Sequence, residues 1–156
     1  YESIVTYLKR RFNLLIGKKT AMSLKEEIGA AAKGLGKTMT IVGRDVVSGL
    51  PIEMSIDSDV VYEGMRDDLD NIASNIRMLL ERVPPELAKD IVASGIYLTG
   101  GSSRIRGLSE YITEVTNIKV NVCENGEESV ARGLGRVLED DKFRRFGYTM
   151  KSRIFN

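Results

Sequence analysis

Along most of the chain apolar residues recur at steps of three and four, and in a few short stretches at steps of two, which predicts helices interleaved with strands. Ile4, Val5, Leu8 and Phe12 mark a first helix. "LLIGKKT" breaks its pattern, with Gly17 as a stop signal and Thr20 as a candidate N-cap for a second short helix through Leu24, Ile28 and Ala31. Thr38, Thr40, Ile41 and Val42, then Ile52, Met54 and Ile56 at a period of two, read as a hairpin around the turn-rich "GRDVVSGLP". The strongest element is residues 59–83, where Val61, Met65, Leu69, Ile72, Ile76, Leu79, Leu80 and Val83 form one stripe. That stripe predicts an amphipathic helix that buries Met65, Leu69, Ile72 and Ile76 against a sheet containing residues 96–98.

Paired prolines at 84–85 suit a helix start and Gly95 its end. "IYL" follows as a short buried strand, then a helix through Ile105, Leu108, Ile112 and Val115, then the alternating strand "NIKVNV". Asn125, capping through Glu128, opens a last helix with Val130, Leu134 and Val137. The tail "DDKFRRFGYTMKSRIFN" has no clear period. The order α–α–β–β–α–α–β–α–β–α places the chain in the α/β class, where ligands sit in crevices at the carboxyl ends of strands.

Composition narrows the chemistry. The 156 residues are 42% hydrophobic and 29% charged, as in a soluble globular protein. No run approaches the ~20 apolar residues of a membrane span. Cys123 stands alone, so no internal disulfide forms, and a reducing cytosol is expected. With one cysteine and no histidine, the usual zinc sites are excluded. A net charge of +1 argues against general nucleic-acid binding. The chain opens on Tyr1 in an already helical pattern, as expected of a piece of a longer protein.

The candidate chemistry lies in "GIYLTGGSSRIRGL", residues 95–108. A strand ending in Gly100 and Gly101 leaves main chain that a flat ligand can approach closely. Ser102 and Ser103 suit a helix cap or a ligand hydrogen bond, and the Arg104 guanidinium suits a ring face. The same residues equally suit a tight turn with a capped helix.

With its surroundings, "LLERVPPELAKDIVASGIYLTGGSSRIRGLSEYI" resembles the second half of the bacterial actin family of rod-shape proteins, MreB and Mbl. "YLKRRFNLLIGKKTAMSLKEEIGAA", "VGRDVVSGLPIEMSIDSDVV" and "NGEESVARGLGRVLED" resemble further blocks of that family in the same order, so the likeness covers about residues 1–140. It implies the second half of an actin-like ATPase of ribonuclease H-like fold. Residues 1–57 would form a small, separable α+β upper lobe, 58–125 an α/β lower lobe, 126–140 the closing helix of the opposite half, and 141–156 a basic, aromatic tail. The chaperones and sugar kinases of the same superfamily are the alternative, against which "PPELAKDI" speaks.

The resemblance also assigns roles. Gly100, Gly101, Ser102 and Ser103 stand at the family's adenosine motif, and "GGSSR" is nearer to the Hsp70 chaperones, whose serine and arginine meet the base; this makes Arg104 a stacking candidate. In "TAMSLKEEIG", Lys25 and Gly29 match the family's second adenosine element, whereas Met22 replaces its glutamate and Glu26 is the available substitute. No "DxGxxT"-like phosphate hairpin occurs, so ATP, ADP and magnesium are cofactors of the full-length family, and this chain alone is expected to be inactive. The implied partners are further copies in a head-to-tail filament and a membrane-anchored adaptor of the RodZ type, at the inner face of the cell membrane. Apart from the resemblance, the basic and aromatic residues of the tail, such as Lys142, Phe143, Arg144 and Arg145, suit either a weak membrane contact or a solvated tail.

Overall fold

A computed structural model describes residues 1–125 and 128–139. The tail from 141, and residues 126–127 and 140 of the expected closing segment, lie outside the described residues. The described elements are α1 (Glu2–Phe12), β1 (Leu14–Leu15), α2 (Lys18–Ile28), β2 (Thr38–Asp45), β3 (Pro51–Asp57), α3 (Ser58–Glu81), α4 (Pro85–Ser94), β4 (Ile96–Leu98), a single 3-10 turn (Gly101–Arg104), α5 (Leu108–Thr116), β5 (Val120–Val122) and α6 (Ser129–Glu139). The expected order holds, with β1 and the 3-10 turn added.

β1, β2 and β3 form an antiparallel sheet in that order, with Thr38 opposite Asp57 and Arg44 opposite Pro51. The period of two sends Met39, Ile41, Met54 and Ile56 inward. At the turn, the Asp45 carboxylate accepts from the Ser48 hydroxyl at 2.7 Å and from the Val47 amide at 3.1 Å, and those bonds hold its pKa below the usual carboxylate range. Gly49 closes the turn at φ 74°, where a side chain would be strained.

Gly17 does not end a helix. Its backbone is extended and it caps α2, so the helix begins at Lys18 and Thr20 lies in its first turn. α3 begins where Asp57 accepts from the Val60 amide at 2.8 Å. It runs antiparallel to α1: the Ser3 hydroxyl donates to Asp68 at 2.6 Å, and Ile4 and Tyr7 lie against Gly64.

The expected burial of α3 is corrected in two respects. Met65 and Leu69 are buried and Ile76 is partly buried, but Ile72 is 43% exposed. The helix packs chiefly on α1, with α2, β3 and α5, rather than on the sheet of residues 96–98. That sheet is only β4 and β5, paired in parallel with Ile96 opposite Val120. One cluster of buried residues, from Ile4 and Leu8 through Leu24, Ile56 and Val61 to Ile112, crosses the expected boundary between residues 57 and 58. Before α6, the Asn125 carbonyl accepts from the Glu128 amide at 3.0 Å.

Candidate functional site

Two stretches of chain 77 positions apart meet here. On α2, Met22, Lys25 and Glu26 stand at i, i+3 and i+4 and therefore share one face. Across from them, the chain leaves β4 at Leu98 and turns through Gly100, whose φ of 93° and ψ of 166° only glycine adopts freely. The Gly100 carbonyl accepts from both the Ser103 hydroxyl at 2.6 Å and the Ser103 amide at 3.1 Å, which fixes the 3-10 turn. The Lys25 ammonium then donates to the Ser102 hydroxyl at 2.9 Å and ties helix to turn. Below this, Ala30 and Arg106 form a parallel bridge, and the Ala31 amide donates to the Arg106 carbonyl at 2.8 Å.

Between these ties lies a cavity of about 560 Å³, lined on the α2 side by Met22, Lys25, Glu26 and Gly29 and on the turn side by Gly101, Ser102, Arg104 and Arg106. Tyr1 also lines it, with the Lys18 ammonium 5.0 Å from the ring centroid. A second hollow of about 360 Å³ shares Tyr1, Lys25, Ser102 and Ile105 and has an apolar floor of Met65, Leu69 and Leu108. Both sizes fall in the range of small-molecule sites.

The walls determine the ligand chemistry. Lys25, Arg104 and Arg106 outnumber Glu26, so the cavity favours an anion. Gly29 and Gly101 present main chain without side chains, and Glu26 supplies an acceptor for a hydroxyl or an amine. A flat polar ring carrying negative charge fits this set. Among the described residues no group of three His, Cys, Asp or Glu gathers to hold a metal ion.

Of the eight residues expected from the sequence, Lys25, Glu26, Gly29, Gly101, Ser102 and Arg104 line the cavity. Gly100 and Ser103 do not: Gly100 makes the turn, and Ser103, only 7% exposed, holds it. Sequence reasoning missed Tyr1, Ile105 and Arg106 as wall residues. Arg106 stands two places beyond Arg104, past the end of the 3-10 turn, where its bridge to Ala30 brings it to the wall.

The MreB/Mbl protein family model matches residues 1–145. The cell shape-determining protein MreB of Escherichia coli is 38% identical over 139 residues, 88% of this chain and 40% of that protein. MreB5 of Spiroplasma citri, solved bound to ADP, superposes with a TM-score of 0.86 at 31% identity, over 94% of this chain and 45% of its own. The same protein has been solved with AMPPNP. The MamK double helical filament shares the fold, at a TM-score of 0.72 and 23% identity. The chain thus spans less than half the length of each of these proteins. The match sets the chaperone and sugar-kinase alternative aside, and the α/β architecture is actin-like: the chain belongs to the MreB/Mbl family.

Proposed function

We propose that this chain is the adenosine-holding part of an actin-like ATPase that forms head-to-tail filaments at the inner face of the cell membrane and governs rod shape by guiding cell-wall synthesis. The observation that carries this reading is the cation-rich cavity between α2 and residues 101–106, in a fold whose MreB5 relative is solved with ADP and with AMPPNP. In it the base and ribose lie against the main chain of Gly29 and Gly101. Glu26 takes the acceptor role toward a ribose hydroxyl or the base amine, and Arg104 covers the ring. Lys25 holds the turn in place through Ser102 and adds positive charge.

By the family resemblance, phosphate hairpins and magnesium ligands belong to the part of the fold that this chain does not span, and among the described residues no three His, Cys, Asp or Glu side chains gather to hold a metal ion. No phosphoryl-transfer step is assigned to these residues. Self-association agrees with the filament formed by MamK, and the membrane location and the RodZ-type adaptor follow from the family resemblance.

Calorimetry on the chain tests the site. ADP and ATP should bind weakly, within about tenfold of each other and with no dependence on magnesium. Each charge-assisted phosphate contact that is missing removes about 1.5–3 kcal/mol, a decade or more in affinity. No heat at millimolar nucleotide would refute the site, and a magnesium-dependent preference for ATP would show a phosphate site elsewhere on the chain.

A further inference from the structure

The cavity between α2 and the 3-10 turn holds more positive charge than a nucleoside can use. Lys25, Arg104 and Arg106 line it against Glu26 alone. A base and a ribose are uncharged. Under the proposed function the 5′-phosphates of a nucleotide fall to the part of the fold that this chain does not span. Clefts lined by one sign of charge concentrate the opposite sign. The surplus therefore calls for a further anion on the side where the nucleoside lies.

Donors for such an anion stand on both walls. The Lys25 ammonium spends one hydrogen on the Ser102 hydroxyl at 2.9 Å and keeps its others. Ser102 accepts in that bond, so its own proton is left to donate, and no hydrogen bond among the described residues uses it. Arg106 is held by its main chain, whose carbonyl accepts from the Ala31 amide at 2.8 Å. Its guanidinium lines the cavity and makes no hydrogen bond or ion pair among the described residues. A guanidinium on a fixed stem is a fork that phosphate oxygens match. On the α2 wall Met22 stands one turn before Lys25 and is 40% exposed, so that position offers a thioether and no negative charge. An acidic side chain beside a ribose selects its free hydroxyls, whereas a cation there accommodates a ribose phosphate.

We propose that the Lys25–Ser102 pair and Arg106 form a subsite for a second anionic group on the ribose, so that the preferred ligand is an adenosine nucleotide phosphorylated at its 2′ or 3′ oxygen as well as at 5′. This inference rests on the adenosine reading of the cavity and adds a ligand class to it. The Lys25–Ser102 bond joins the two walls, so an anion seated on that pair touches helix and turn together.

The test is calorimetry on the chain at physiological ionic strength with ADP, adenosine 2′,5′-bisphosphate, adenosine 3′,5′-bisphosphate and inorganic pyrophosphate. ADP is the reference, because it carries as many phosphate groups as either bisphosphate but bears them all on the 5′ oxygen. At least one bisphosphate should bind about tenfold or more tighter than ADP. Arg106→Gln and Met22→Glu should each bring that ratio close to one. Both replaced side chains are exposed, and an unchanged melting midpoint shows that the variants are folded. ADP heat with neither bisphosphate tighter would overturn the subsite and leave the adenosine reading standing. Silence from all three nucleotides would overturn both. A preference that survives either folded variant would overturn the subsite, as would pyrophosphate binding as tightly as the better bisphosphate, because the charge would then attract any anion.

Discussion

Gly29 shows how one residue can serve both fold and site. The chain leaves α2 there with an ordinary φ of −64°, so freedom of rotation is not the reason for glycine. Space is: a Cβ would lie 2.1 Å from the Lys25 carbonyl oxygen, which belongs to main chain and cannot swing away. Gly29→Ala should therefore push the last turn of α2 aside, weaken the tie from Lys25 to Ser102, and cost about 1–3 kcal/mol in urea denaturation. Nucleotide affinity should fall with it; unchanged stability and affinity would show that the turn yields freely. At this scale the sequence was legible where a residue type has one use. Gly101, Arg104 and Lys25 line the cavity, as their residue types suggested they could. Gly100 and Ser103 read as ligand groups but serve the turn, because a hydroxyl next to a glycine pair suits either task until the fold decides which carbonyl it meets. Tyr1 left no trace, since its place in the cavity wall depends on how α1 crosses the molecule.

Among elements, α3 carries the clearest lesson. Periodicity marked its apolar stripe along the full length, and the helix runs within two residues of the expected span at each end. Periodicity reports that a face is apolar, not what covers it, so Ile72 was assigned to the core although it is 43% exposed while Leu69 and Ala73 on either side of it are buried. The two-residue β1 could not be read at all, because alternation needs more positions than Leu14 and Leu15 supply. Gly64 explains how closely α1 approaches. A Cβ there would sit 3.3 Å from the Ile4 Cα and 3.4 Å from the Tyr7 Cβ. Gly64→Ala should be near neutral, since about 1 kcal/mol of helix propensity offsets the tight contact. Gly64→Val should cost about 1–3 kcal/mol by separating the helices. Equal denaturation midpoints for the two variants would contradict that packing.

For the whole molecule, the continuous buried cluster has a measurable consequence. Ile4 and Leu8 before the expected boundary share a core with Val61, Leu69 and Ile112 beyond it. The chain should therefore unfold in one calorimetric transition, with equal calorimetric and van't Hoff enthalpies, rather than as two lobes. Two resolved transitions would show separable lobes. The bond from the Ala31 amide to the Arg106 carbonyl reaches further than stability. It joins the opposing walls of the cavity through main chain, with Lys25 and Ser102 as a second rivet. A slot riveted at two points is a rigid gauge, not a jaw. Under the proposed function, a nucleotide entering it should spend little of its binding energy on closure, and this part of the molecule should keep one shape for diphosphate and triphosphate alike. Any mechanical difference between the two nucleotides must then arise where their phosphates end, beyond these residues.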